Sequence, residues 1–387
     1  MKVRIGVPRE IKDGENRIAA TPRCVRALRD AGARVLVQKG AGLESGFPDQ
    51  AFAGAGATVV PKAEDAWSVD LVVKVKEPLP GEFRFLSDRT ALFTYLHLAA
   101  FPELTGVLLA KRVTAIGYET VRKGGRLPLL RPMSEVAGIL AIQVGARGLE
   151  KASGGRGVLL PAVKGGGPAS VCVIGGGIAG RNAARTAAGI GARVTVLDIS
   201  RDKLERIRKE SGGRIRTVLS TPGSIERNVV RADLVISTVL LAGDKAPVLI
   251  RRDLLRRMQR GAVVVDISID QGGSLETSRP TTHADPFYIE EGVVHYCVAN
   301  MPAAVSRTST IALTRATLSY TKKFARFGVL PALRKDAALR AGLNTFRGRV
   351  TCEGVAHAFA KEYTPPGTLL DSGERPRPLR NPEEPAG

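Results

Sequence analysis

One stretch constrains the chain more than any other: VCVIGGGIAGRNAARTAAGIGARVTVLDI, residues 171–199. Val171 to Ile174 is an apolar run of strand length. It meets Gly175, Gly177 and Gly180 in GxGxxG spacing, and an Ala-rich helical stretch follows from about Ala179 to Ile190. A second strand, Arg193 to Leu197, then ends at Asp198. Each part has a mechanical task. Gly175 permits a tight turn, Gly177 lets a pyrophosphate approach the backbone, and Gly180 lets helix and strand pack closely. The helix N-terminus, at Ile178 and Ala179, turns unpaired N–H groups and a partial positive charge toward the phosphates. An acid at the end of the second strand accepts ribose hydroxyls and repels an additional phosphate there. The pattern therefore favours NAD over NADP, with Arg201 close enough to blunt the preference. A lone GxGxxG is weak evidence, but strand, turn, helix, second strand and acid in register specify a Rossmann dinucleotide-binding unit.

The rest of the chain alternates in the same way. Its 387 residues predict two domains at roughly 100–200 residues each. Arg4 to Val7 reads as a strand, and Thr21-Pro22 as an N-cap with proline at the first helical position. That helix runs to about Ala31-Gly32. Arg34 to Gln38, Leu71 to Val75, Ala91 to Leu96 and Thr114 to Tyr118 are further strands, rich in β-branched and aromatic residues. Val136 to Leu149, after Ser134, reads as a long helix ending at Gly154-Gly155. Leu234 to Thr238 and Ala262 to Ile267 continue the second series, and helical periodicity returns between Asn300 and Leu330. Strands separated by helices imply an α/β fold with mostly parallel sheets. The Pro-rich, charged tail from Ser372 onward is expected to be unstructured.

Composition removes several classes. No apolar run approaches the ~20 residues that span a bilayer, and Val3 to Val7 is too short for a signal-peptide core. A cytoplasmic protein is expected. Cys24, Cys172, Cys297 and Cys352 lie far apart without CxxC spacing, which speaks against a zinc module or a disulfide framework. The formal charge of +21 is unusual, and admits nucleic-acid binding, steering of small anions or a generally basic proteome. Its densest stretches, Arg201 to Arg216 and Arg251 to Arg260, read as solvated helix faces. Leu204 and Ile207 turn inward on one, Leu254, Leu255 and Met258 on the other. With 5% aromatics there is little for bases to stack on, so nucleic acid is not an expected partner.

A second constellation is scattered: Arg17 in ENRIAATP, Lys76 in KVKEP, His97 in TYLHLAA, Asp270 in DISIDQGG and Asn300 in VANMP. All but Arg17 sit at or just after an expected strand, where ligands bind in open parallel sheets. Taken singly, each also has an ordinary explanation. Arg17 and Lys76 read as solvated charges, His97 as a satisfied buried imidazole, Asp270 as a turn residue and Asn300 as a loop cap.

Longer segments decide between these readings. IGVPREIKDGENRIAATP, LVVKVKEP, LFTYLHLAA, RPMSEVAG, GGRGVLL, IGGGIAG, VVVDISIDQGG, SRPTTH and CVANMPAAVSRTSTIALT resemble the alanine dehydrogenase family. That family also includes the soluble NAD-binding part of proton-translocating transhydrogenase. The likeness runs from Arg4 to about Phe359. Transhydrogenase relatives do not carry the LHLAA segment, so His97 separates the branches.

The resemblance implies NAD-dependent, reversible oxidative deamination of L-alanine to pyruvate and ammonium through an imine. It assigns the substrate carboxylate to Arg17 and Lys76, proton transfers to His97 and Asp270, and the cofactor and substrate site to Met133, Ser134, Ser220, Val239, Leu240, Ile267 and Asn300. With Gly175, Gly177, Ile178, Ala179, Gly180 and Asp198, the implied cofactor set includes Lys203, Asp270 and Met301. The implied fold is two doubly wound domains, a Rossmann NAD-binding domain over 129–305 inserted in a substrate domain split into 1–128 and 306–371, with 372–387 as a tail. Family members are usually hexamers. The alternatives are an NAD-linked oxidoreductase of another small 2-amino acid or a transhydrogenase-like NAD-binding subunit. The linker PAVKGGGPAS and the abundant arginines depart from the family pattern. Phe327 stands near the place where some similar enzymes use a histidine to help hold magnesium, so no metal is expected.

Overall fold

The computed structural model describes residues 2–239 and 246–371; Leu240 and the tail from Ser372 lie outside the described residues. The chain forms two compact units, one made of residues up to Pro132 together with those from Val305 onward, the other of Met133–Ala304. The second is thus inserted in the first. No described helix is long and apolar enough to cross a membrane.

Among the described residues of the first unit, eight strands form one sheet. Their order is Arg349–Val350, Leu343–Phe346, Thr114–Gly117, Ala91–Thr94, Leu71–Val73, Arg4–Val7, Arg34–Gln38, Thr58–Val60. The six strands that come first in sequence are mutually parallel, and the two from the C-terminal segment add antiparallel at one edge. Numbered along the unit, the parallel set runs 3-2-1-4-5-6, a doubly wound order that reverses between Arg4–Val7 and Leu71–Val73. Leu71–Val73 and Ala91–Thr94 are buried throughout, as strands covered by helices on both faces must be. Thr21 caps the helix Pro22–Asp30, its side chain accepting the Cys24 N–H.

The strand expected to reach Val75 is regular only over Leu71–Val73; beyond it the Val75 N–H donates to Glu10 Oε1 at 2.7 Å, while the Val75 carbonyl still accepts the Tyr95 N–H at 3.3 Å. Beside it lies a buried charge cluster. Lys74 is fully buried, with Nζ 3.1 Å from Glu10 Oε2 and 2.7 Å from Glu82 Oε1. Its ammonium also sits 5.7 Å from the centroid of Trp67. Burial acts to lower the Lys74 pKa, but the two carboxylates outweigh it and hold the group charged.

The described strands of the second unit run in the order Phe287–Glu290, Val293–Tyr296, Val263–Asp266, Leu234–Ser237, Ser170–Ile174, Arg193–Asp198, Arg216–Leu219. All neighbours are parallel except Phe287–Glu290 against Val293–Tyr296. Along the unit this is 3-2-1-4-5-7-6, so the second unit is also doubly wound. The helix expected over Val136 to Leu149 spans Arg131–Gly148 and stops well before Gly154, because a separate turn, Lys151–Ser153, follows. Leu204, Ile207, Leu254, Leu255 and Met258 are buried, and the basic residues around them lie on solvated faces. The cysteines are free thiols, and burial pushes Cys172 up to about 12.

The three glycines of the dinucleotide turn do separate work. Gly175 has φ +102, a conformation side chains rarely adopt. At Gly180 an added Cβ would fall 1.8 Å from the Gly175 carbonyl oxygen, so helix Ile178–Gly189 can only close on the strand without a side chain there. At Gly177 an added Cβ meets nothing within 4 Å. Gly177 is therefore dispensable to packing, and open to whatever approaches the turn.

Two outcomes follow from this packing. Gly180→Ala should lower unfolding free energy by about 1–3 kcal/mol, whereas Gly177→Ala should change it by less than about 1 kcal/mol; denaturant titration compares them. Lys74→Ala leaves two carboxylates buried without their cation and should cost about 3–5 kcal/mol. Adding Glu10→Gln and Glu82→Gln should recover most of that loss.

Candidate active site

In the first unit Arg17 and Lys76 follow the two strands at the doubly wound reversal, and His97 follows the next strand over. Arg17 is 2% exposed, which removes the solvated-charge reading. Its Nε donates to Glu15 Oε1 at 2.6 Å and its Nη2 to Glu15 Oε2 at 2.5 Å, while the Arg17 backbone N–H reaches Glu15 Oε1 at 3.1 Å. Burial opposes the guanidinium charge, but the hydrogen bonds and charge of Glu15 overcome it, and the Arg17 pKa is raised. Glu15 thereby fixes the plane of the fork.

Lys76 is half-buried just past Leu71–Val73. The neighbouring Glu77, a candidate to neutralise it, is buried and bonds Lys12 Nζ at 2.5 Å through Oε1. His97 is exposed rather than a buried imidazole. It sits in the left-handed region at φ +47, just past Ala91–Thr94, and its ring lies parallel to that of Tyr95 with centroids 5.8 Å apart. Tyr95 is itself buried and donates its hydroxyl to the Leu129 carbonyl at 2.6 Å.

In the second unit, Asp198 ends its strand beside the glycine turn. Its Oδ2 accepts the Gly176 N–H at 2.6 Å and lies 3.5 Å from Lys203 Nζ, and its Oδ1 accepts the Ser200 N–H at 2.8 Å. Ser220 follows the adjacent strand, its N–H donating to the Asp198 carbonyl at 3.0 Å. Ile178 and Ala179 open the 12-residue helix and are partly exposed, as is Val239 after Leu234–Ser237. The helix carrying Met133 and Ser134 approaches the same turn. An added Cβ at Gly138, one helical turn beyond Ser134, would fall 2.1 Å from the Ala179 carbonyl oxygen. A partly exposed helix N-terminus, a glycine with open space over it and an acid at the next strand end thus lie together within one unit. Leu240 lies outside the described residues.

Asp270 is exposed on the short turn Ile267–Gln271, directly after Val263–Asp266. Its Oδ1 accepts the backbone N–H of Asn300 at 3.2 Å, and Asn300 has φ +61. Met301, the next residue, is buried. The sequence reading brought Asp270 and Asn300 out separately; they meet.

That reading missed Asp266, which organises the loop. Fully buried, it accepts the N–H of Ser268 at 2.9 Å and of Ser274 at 2.7 Å, and the hydroxyls of Ser274 at 3.1 Å and Ser278 at 2.7 Å. Four donors on one carboxylate pin both ends of the segment bearing Ile267 and Asp270. The signal was available: an acid ending a run of valines, followed by serines, has no solvent to turn to. Lys74 was missed for a related reason, since lysine is taken as solvated unless it continues a doubly buried strand, as in LVVKVK.

Residues 6–137 match the family described as alanine dehydrogenase/PNT, N-terminal domain, and residues 141–353 match its C-terminal domain. The alanine dehydrogenase of Bacillus subtilis (strain 168) is 51% identical over 362 residues, 93% of this chain and 96% of that relative. Alanine dehydrogenase 2 of Staphylococcus aureus (strain USA300) is 49% identical over 363 residues, 93% of this chain and 98% of that relative. A solved L-alanine dehydrogenase superposes with a TM-score of 0.89 at 47% identity, covering 92% of this chain and 99% of that one. A transhydrogenase from Sinorhizobium meliloti shares the fold, with a TM-score of 0.78 at 23% identity over 90% of this chain and 99% of its own. Matched along both units and by full-length relatives at about half identity, the chain belongs to the alanine dehydrogenase/PNT family.

Proposed function

We propose that the protein is an L-alanine dehydrogenase, interconverting L-alanine and pyruvate plus ammonium with NAD. The observation that carries this reading is the 51% identity to the Bacillus subtilis alanine dehydrogenase across 93% of the chain. The chemistry of the side chains supports it. Arg17 and Lys76 hold the substrate carboxylate, each charge-assisted bond contributing about 1.5–3 kcal/mol. Arg17 arrives oriented by Glu15, and the Glu77 carboxylate beside Lys76 is engaged by Lys12 through Oε1. Asn300 belongs to the same substrate-binding set.

Bound NAD supplies the ring that accepts hydride. The chain's part is to hold it: Gly175, Gly177, Ile178, Ala179 and Gly180 at the pyrophosphate, Asp198 and Lys203 at the adenosine ribose. Ser134, Ser220, Val239, Leu240, Ile267 and Met301 complete the surroundings. His97 and Asp270 move the protons. Imidazole exchanges protons near neutrality. A carboxylate at 270 receives one from the amine or from attacking water, and its charge favours cationic states of the substrate. The same reading has the protein act in the cytoplasm as a homo-hexamer.

A panel of small 2-amino acids offered with NAD or NADP, followed by the absorbance of the reduced nicotinamide, tests the reading. L-alanine with NAD should be turned over fastest; a faster different amino acid, or no turnover of any, would sink it. His97→Ala and Asp270→Ala should keep NAD affinity while losing at least about 10²-fold in kcat. Near-normal turnover in either variant removes that residue from proton transfer.

A further inference from the structure

The backbone at His97 reverses against its own preference. After Ala91–Thr94 the chain continues through Tyr95 and Leu96, then turns at His97 with φ +47 and ψ +38 to enter the short turn Leu98–Ala100. A left-handed residue with a side chain persists only where its surroundings fix it. Those surroundings converge on one group. The His97 N–H donates to Glu119 Oε1 at 2.7 Å, and the Leu96 N–H is shared between Oε1 at 3.3 Å and Oε2 at 3.2 Å. Glu119 comes from the neighbouring chain segment, in the turn Tyr118–Thr120 that follows Thr114–Gly117.

The site is shaped to admit that carboxylate. An added Cβ at Gly117 would fall 3.0 Å from Glu119 Oε1, 2.9 Å from Thr120 Oγ1 and 2.7 Å from Asn344 Nδ2. A side chain at 117 would crowd all three of these polar groups. The ring of His97 makes no hydrogen bond to a described residue; it rests on Tyr95, whose hydroxyl is anchored on the Leu129 carbonyl. The direction of the imidazole is therefore set through the main chain, leaving both ring nitrogens for chemistry.

We propose that Glu119 is a positioning residue for the dehydrogenase reaction, clamping the Leu96 and His97 amides so that the His97 imidazole points to the substrate. The inference rests on the reading of His97 as a proton-transfer group. Its content is geometric: the clamp needs an acceptor at the reach of a glutamate side chain and does not need negative charge. Glu119→Gln keeps an acceptor oxygen at that reach, whereas Glu119→Asp keeps the charge and shortens the arm.

The test uses the full chain with NAD and L-alanine and measures kcat, KM, NAD affinity and melting temperature for Glu119→Gln, Glu119→Asp, Glu119→Ala and His97→Ala. Displacing a reacting group by about 1 Å costs roughly 10²-fold, so Glu119→Asp and Glu119→Ala should lose about that much in kcat, with NAD affinity unchanged. Glu119→Gln should stay within about tenfold of the parent, since it retains the hydrogen bond. In the His97→Ala background, Glu119→Asp should cost nothing further, because residues acting as a unit are not additive. Retained activity in Glu119→Asp with loss in Glu119→Gln, or full additivity with His97→Ala, overturns the proposal. A large His97→Ala loss with all Glu119 variants active sinks the clamp alone. A near-normal His97→Ala sinks the reading of His97 on which it stands.

Discussion

A parallel sheet delivers the ends of all its strands to one edge, and this constraint governs where chemistry can sit in both units. Wherever the winding reverses, the loops leaving two neighbouring strands go to opposite faces and open a crevice between them. In the first unit that reversal lies between Arg4–Val7 and Leu71–Val73. The loop after one carries Glu15 and Arg17, the chain after the other carries Lys76, and His97 follows the next strand over. In the second unit the reversal lies between Ser170–Ile174 and Leu234–Ser237, with the glycine turn leaving one strand and Val239 the other. Residues far apart in sequence gather because the sheet leaves them no other edge.

Crowding polar groups at strand ends has an energetic consequence, since several lie out of water. Each unit answers with carboxylates that collect donors. Glu10 and Glu82 enclose Lys74, Glu15 holds Arg17, and Asp266 takes four donors from three serines. Burying an ion pair is a weak route to stability, because desolvation offsets most of the attraction. Its geometry, however, is unforgiving. Glu10 shows what this achieves: one oxygen meets Lys74 and the other takes the Val75 N–H, fixing the course of the chain just before Lys76.

The legible parts of this molecule were those where one residue type alone fits a local demand. Gly175, Gly180, the Thr21 cap and the runs of buried β-branched residues could be read directly, and with them a mostly parallel α/β fold; the doubly wound class of both sheets came through the family resemblance. Short strands escaped. Thr58–Val60, Arg216–Leu219 and the antiparallel pair Leu343–Phe346 and Arg349–Val350 carry two to four residues each, too few for a period to show. Partnership escaped as well. Arg17 looks like any surface arginine until Glu15, two residues before it, folds back on its guanidinium. Nothing local marks Glu119 as the acceptor for amides 22 and 23 residues away. Motif comparison with a family reached Arg17, Lys76, His97 and Asp270 because it needs no geometry. It passed over Glu119 and Asp266, which act through the backbone of their neighbours, and Lys74, which acts through a buried ion-pair cluster.

Asp198 shows how the two kinds of work merge in one side chain. A carboxylate offers about four lone-pair directions. The Gly176 and Ser200 amides occupy two, and Lys203, half-exposed and 3.5 Å away, reaches a third. In the proposed reading, what remains is left for the ribose hydroxyls of NAD. The acid shapes the glycine turn from one side and, on that reading, meets the cofactor from the other. Replacing it to admit a 2′-phosphate would leave Gly176 N–H, buried behind Ile207, without its acceptor. The positive charge of Lys203 favours such a phosphate electrostatically, yet on the proposed reading the loop that would meet the pyrophosphate depends on the acid that repels the extra phosphate. If Asp198 meets the ribose as proposed, cofactor choice is coupled to backbone order, and charge counting alone is a poor guide to it.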